Sequence, residues 1–150
     1  MHPEEIELRR TLTALAAAEG GGRLLQLGLR SLESGERELV AGCWTRRGDA
    51  GCLFQHAYWE GVGAGLFGRE GHARAWVSSV AGPDGYHRVI DSIAAFDRLA
   101  RTHYAVSRPR FGPPKLDQPR WRAAVAAILI DVLDAGRSSP AASATVTTAG

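Results

Sequence analysis

Leucines recur every three or four positions in two segments near the start of the chain, at 8, 12 and 15 and again at 25, 29 and 32, the spacing of one helix face. Pro3 and two glutamates precede them and suit a first helical turn, where proline's missing N–H costs nothing and carboxylates favour the positive end of the dipole. Glycines at 20–22 end this first predicted helix. Residues 23–32 fit a second helix, although the leucines at alternate positions from 25 to 29 would also fit a strand. We predict a helix there.

The pattern is less regular between residues 35 and 61. Residues 35–43 fit a short helix, but 38–44 could instead be the first arm of a hairpin turning at 47–49. Asp49 is placed to cap a further helix over 50–61, because its carboxylate can accept the unpaired N–H groups of a first turn. The sequence therefore leaves two alternatives for this part of the chain: a short helix over 35–43, or a short hairpin near residues 38–55.

Two amphipathic segments follow. A short helix is predicted over 70–80, closed by Gly82, and Pro83 then opens a longer one. The apolar face of that longer helix is predicted to contain Tyr86, Val89, Ile90, Ile93, Phe96 and Ala100.

The last helix is predicted after a loop rich in proline and glycine over 109–114. Asp117 and Pro119 restart the helix, and Gly136 is placed to end it. Its inner stripe is expected to be Trp121, Val125, Ile128 and Val132. Residues 137–150 are small and polar with nothing to bury, so a disordered tail is expected there.

Together these elements predict an all-α fold, a compact bundle of five or six helices over residues 1–136. The chain is 45% hydrophobic and 23% charged, the proportions of a globular protein. Its longest apolar run, residues 123–130, falls well short of the about 20 residues that span a membrane. The acidic N-terminus lacks the basic and apolar regions of a secretory signal, so we expect a cytoplasmic protein without a membrane partner.

One segment carries residues that could ligate a metal. Cys52, His56 and Glu60 would lie at i, i+4 and i+8 on one helix face. With Cys43 or His72 they could bind zinc, and an imidazolium beside Cys52 could instead favour a reactive thiolate. Neither Cys-x-x-Cys nor His-Glu-x-x-His is present, so we favour a third interpretation in which Cys52 and His56 are buried core residues.

Positive charge is concentrated in residues 101–122, which contain six cations and one anion. This segment has a net charge of +5, so the remainder of the chain carries −3. Tyr104, Phe111 and Trp121 are interleaved with the cations, which suits phosphate contact and base stacking as well as an acidic protein surface. The candidate binding residues are Arg108, Arg110, Lys115, Arg120 and Arg122.

Because the sequence contains no complete catalytic constellation, it favours a binding protein over an enzyme. We expect a small regulatory or adaptor protein that binds another macromolecule through the basic, proline-containing loop. A protein partner is expected and nucleic acid is the alternative, while a solvated connector would need no partner. The other class of function is a metal-binding or redox-responsive protein, or a small enzyme, centred on Cys52 and His56.

Overall fold

Five helices make up most of the described part of the chain and confirm the all-α prediction. The computed structural model describes residues 1–42, 45–47, 50–63, 65 and 72–137. The helices are α1 (Pro3–Ala17), α2 (Gly21–Ser34), α3 (Leu53–Gly63), α4 (Ala73–His103) and α5 (Gln118–Arg137). In these residues no helix combines the length and the apolar character that crossing a membrane requires.

Two small sheets join the helices. In the first, β1 (Glu38–Leu39) pairs in parallel with β3 (Ala50–Gly51), and β2 (Thr45–Arg47) pairs antiparallel with the other edge of β3. The second is an antiparallel hairpin of β4 (Ala105–Ser107) and β5 (Lys115–Leu116) between α4 and α5.

The helix considered for residues 35–43 is wrong, and the hairpin alternative is right only in part. An antiparallel pair does lie within 38–55, but its first arm is β2 rather than residues 38–44. Gly35 ends α2 in the left-handed conformation, with φ 74°. The Gln118 side-chain amide then binds both backbone groups of Leu39, accepting from its N–H at 3.0 Å and donating to its carbonyl at 2.9 Å. The Gln118 amide thus pairs with the backbone of Leu39 as a neighbouring strand would.

Two predicted helix starts were also wrong. Residues 50 and 51 form β3, so α3 begins at Leu53, and Asp49 lies outside the described residues. α4 begins at Ala73 rather than at 70. The side chain of His72 caps this start by accepting a hydrogen bond from the backbone N–H of Ala75. At Gly82 the backbone leaves helical geometry, with φ 74° and ψ 174°, and Pro83 follows the resulting kink.

The predicted apolar face of α5 is confirmed in full, and that of α4 only in part. All four predicted residues of the α5 stripe are buried, which confirms that face. On α4, Ile90 is 43% exposed and its inclusion was wrong, because the buried face passes through Val89, Ser92 and Phe96. α5 continues through Arg137, one residue beyond Gly136, and the rest of the expected tail, residues 138–150, lies outside the described residues.

The α2–α3 contact is the most extensive helix pair in the bundle, and α1 packs on α4 and α5. Gly28 permits this close approach, since a Cβ there would lie 2.7 Å from Cδ1 of Leu53. Phe54 and Trp121 are completely buried in the shared core. The α2–α3 interface also buries His56. The C-terminal end of α4 leads into the β4–β5 hairpin, which contains the predicted basic loop.

Candidate functional site

His56 is completely buried on α3, and both of its ring nitrogens are hydrogen-bonded. Nε2 lies 2.9 Å from the backbone carbonyl oxygen of Glu38, which can only accept, so Nε2 carries the proton. The pKa of His56 is lowered to about 4, mainly by burial; the hydrogen bond to the Glu38 carbonyl opposes this shift, and the charges of Arg122 and Arg37 add to it. The ring is therefore neutral near pH 7, and Nδ1 accepts from the Ser31 hydroxyl at 2.8 Å.

Of the residues predicted to ligate a metal with His56, the structure describes Cys52 and His72. Cys52 is buried but precedes α3, and its carbonyl accepts the backbone N–H of His56 at 3.0 Å. His72 is exposed at the start of α4, and Cys43 lies outside the described residues. Across the described ranges, no three His, Cys, Asp or Glu side chains converge in a group that could hold a metal ion. A zinc site stays a prediction that depends on Cys43.

A small cavity of about 220 Å³ lies beside His56, and the Ser31 that bonds the imidazole also lines it. Its other lining residues are Ser34, Glu36, Arg37, Trp59 and Glu60. The Arg37 guanidinium lies 4.3 Å above the Trp59 ring, and that ring meets His56 edge-on at 5.3 Å. The cavity thus combines an aromatic face, two carboxylates and one cation.

The hairpin holds the predicted basic loop in a defined turn. Register pairs Ala105 with Leu116 and Ser107 with Lys115, and the carbonyl of Tyr104 accepts from the N–H of Asp117 at 2.9 Å. All residues from 106 to 113 are exposed, with Phe111 reaching 84%. Charged side chains within 105–116 are all cations: Arg108, Arg110 and Lys115.

Each exposed arginine of the hairpin region has a defined neighbour. Arg108 donates from Nη2 to the carbonyl of Arg101 at 2.8 Å, and Arg110 lies 5.7 Å from the Phe111 ring centroid. Arg120 lies 5.1 Å above the ring of Tyr104, whose ring also contacts the buried Trp121. The hairpin region therefore presents guanidinium groups paired with aromatic rings at its tip and at its base.

A groove of about 300 Å³ lies where the hairpin leaves α4, lined by Arg101, Thr102, Arg108, Pro109, Gly112 and Pro114. Nε of Arg101 donates to both carboxylate oxygens of Asp97, at 2.8 and 2.9 Å, which fixes the orientation of that guanidinium. The groove is thus lined by two arginines, a threonine, two prolines and a glycine.

Arg122 differs from the other predicted binding residues, because its guanidinium is turned into the protein. It donates to the carbonyl oxygens of Arg37 and of Leu32, the latter at 2.7 Å, and so binds the C-terminal end of α2. Burial lowers its pKa. Lys115 is exposed on β5 and lines a second cavity, of about 360 Å³, together with Arg122 and Gln118.

Several neighbours of these sites were absent from the sequence-based set of candidates. Ser31 and Arg37 lie on other elements than His56, and no local spacing connects them with it. Arg101 is one of the six cations of the basic segment 101–122 but was not among the candidate binding residues, and Thr102 follows it in the sequence. Phe111 was recognised as an interleaved aromatic, but its exposure depends on the hairpin turn.

No protein-family model, curated protein or solved structure matches this chain.

Proposed function

We propose that this protein is a regulatory or adaptor protein that binds an acidic macromolecule through its basic hairpin, residues 105–116 with the flanking Arg101 and Arg120. One observation carries the proposal. Phe111, a large apolar side chain, is 84% exposed at the turn of a hairpin whose charged residues are all cations. Burial of an exposed aromatic ring is a major source of binding energy, and surrounding cations attract a partner of opposite charge.

The way the hairpin is attached supports a binding role. The β4–β5 pairing and the Tyr104–Asp117 hydrogen bond fix its base, while residues 106–113 are exposed and do not fill the core. A segment of this kind can change its surface chemistry without unfolding the bundle, as is typical of binding loops on a rigid scaffold. Arg122 then belongs to the scaffold, because it is bonded to α2.

The proposal is tested by measuring binding of the protein to polyglutamate and to a single-stranded oligonucleotide at low salt. The test variant replaces Arg108, Arg110 and Lys115 by alanine. The matched control replaces three exposed arginines of other elements, Arg10, Arg74 and Arg88, and so removes the same charge.

At least one of the two polyanions should bind the wild type. The hairpin variant should lose about tenfold or more in affinity, and the control should lose much less, since nearby charges act most strongly. Equal losses in both variants would mean that net charge alone drives binding, and the proposal would then be wrong.

A second candidate function rests on the cavity beside His56. Of its polar groups, the Ser31 hydroxyl proton is already donated to His56, and Ser34 donates to the carbonyl of Ser31. The groups left to a ligand are two carboxylates and the Trp59 ring, over which the Arg37 guanidinium already lies. That chemistry suits a small organic cation in competition with Arg37. Titration with guanidinium or alkylammonium ions, followed by Trp59 fluorescence against a Trp59→Phe control, would test it.

A further inference from the structure

We infer that the ligand of the basic hairpin is single-stranded nucleic acid, with one base stacked on Phe111 and neighbouring phosphates bound by Arg108 and Arg110. This inference rests on the proposed function, since it names the partner for that surface. It commits to one class of acidic macromolecule on the basis of the aromatic rings that accompany the charges.

Phe111 provides the stacking surface. Its ring is 84% exposed, and its close cation is Arg110, whose Cζ lies 5.7 Å from the ring centroid. A base can add to such a ring whatever its sequence, because every base has a π face. The adjacent guanidinium can contact the phosphate of the stacked nucleotide and strengthen the stack as a cation.

The groove at the base of the hairpin provides the phosphate contacts. Asp97 fixes Arg101, and Arg108 uses Nη2 to bind the carbonyl of Arg101, so both groups are oriented before a ligand arrives. A guanidinium has five N–H donors, and the donors of Arg108 beyond that bond can bind phosphate oxygens. Thr102 lines the same groove, and its hydroxyl is of a type that can donate to phosphate.

The alternative partners fit this surface less well. A double helix hides the faces of its bases, so Phe111 would meet phosphate or base edges rather than a ring. An acidic protein would need an apolar pocket for Phe111 within a surface rich in carboxylates, because the residues around the ring include Arg108 and Arg110. A single strand presents anionic groups and flat rings together at every repeat.

The test uses the full chain and fluorescence anisotropy at low salt with three probes: a labelled 15-mer of thymidylate, a duplex of equal length and labelled polyglutamate. We expect the single strand to bind about tenfold more tightly than either other probe. Phe111→Leu should weaken single-strand binding by about tenfold, because it keeps apolar area and removes the ring, whereas Phe111→Trp should stay within about twofold. Val106→Ala, at another exposed apolar residue of the hairpin, is the control and should change nothing.

The outcomes separate this inference from the proposed function. If polyglutamate or the duplex binds as tightly as the single strand, the hairpin still binds an acidic macromolecule but the partner assignment is wrong. If Phe111→Leu weakens binding to none of the probes, the inference is wrong, and the proposed function then stands only if the variant at Arg108, Arg110 and Lys115 still loses affinity. If none of the three probes binds at low salt, the proposed function fails together with the inference. Circular dichroism of each variant excludes unfolding as the cause of a loss.

Discussion

The Ser31 hydroxyl donates to Nδ1 of His56 at 2.8 Å across the interface of α2 and α3. With Nε2–H donating to the carbonyl of Glu38, this bond holds the imidazole in its neutral form and ties β1 to the two helices. The same arrangement makes the fold sensitive to acid, because a buried neutral histidine must gain a charge when it is protonated.

Stability should therefore fall as the pH is lowered from about 6.5 to about 4. His56 has a pKa of about 4 in the folded protein and about 6.5 when unfolded, so between these values the unfolded state binds the extra proton. The contribution is fully present above pH 6.5, and its loss approaches about 3 kcal/mol, an order-of-magnitude value, near pH 4. Urea unfolding at several pH values measures it. His56→Gln is the control, and a curve for wild type that is parallel to the control over this range would contradict the assignment.

Chelation should leave the folded protein unchanged. Both ring nitrogens of His56 already have partners, and His72 is exposed at the start of α4. A structural zinc ion would contribute on the order of 10 kcal/mol, so its removal would lower the melting temperature drastically. We expect identical thermal melts with and without EDTA. A large shift with EDTA would support a metal site that includes Cys43.

Arg122 should be important for stability, and Arg120 should not. Arg122→Leu removes the donor for two backbone carbonyls, that of Leu32 in the last turn of α2 and that of Arg37 beyond the helix, which should cost about 1–3 kcal/mol. Arg120→Leu, two positions earlier on the same helix, removes an exposed side chain and should stay within about 0.5 kcal/mol. Chemical denaturation of both variants tests the pair, and equal stabilities would show that the Arg122 bonds contribute nothing.

The buried stripe of α5 makes a further prediction about stability. Val125→Ala and Ile128→Ala should each cost about 1–4 kcal/mol, since both side chains are buried in the core. Ile130→Ala on the same helix should cost about 0.5 kcal/mol or less, because Ile130 is 43% exposed. Losses at Ile130 as large as those at Ile128 would mean that the outer face of α5 is also covered.

Local patterns explain which parts of the fold could be predicted. α1, α2 and α5 each carry an apolar stripe at helical spacing, and this spacing can be recognised from the consecutive residues of the helix alone. The strands contain only two or three residues each, too few for an alternating pattern. β1 also depends on Gln118, which lies 79 residues away, so no local signal could reveal it.

The candidate sites divide in the same way. Positive charge in the basic segment could be counted from the sequence, but the separation of Arg122 from Arg108 and Arg110 depends on how α5 packs against α2. For His56, the helical spacing suggested Cys52 and Glu60 as neighbours. The hydrogen-bond partners of its imidazole ring are instead Ser31, 25 residues earlier, and the backbone carbonyl of Glu38, a group that every residue possesses.

Whether the basic hairpin is the surface that binds an acidic macromolecule can be read residue by residue from a map of the contact. We propose two-dimensional ¹H–¹⁵N NMR spectra of the full chain during titration with the thymidylate 15-mer and, separately, with polyglutamate. We expect the largest shift changes with at least one ligand on the amides of residues 101–116 and on the Arg120 side chain, with the core amides of α1 unchanged. Changes centred on another face, or no saturable change with either ligand at low salt, would contradict it.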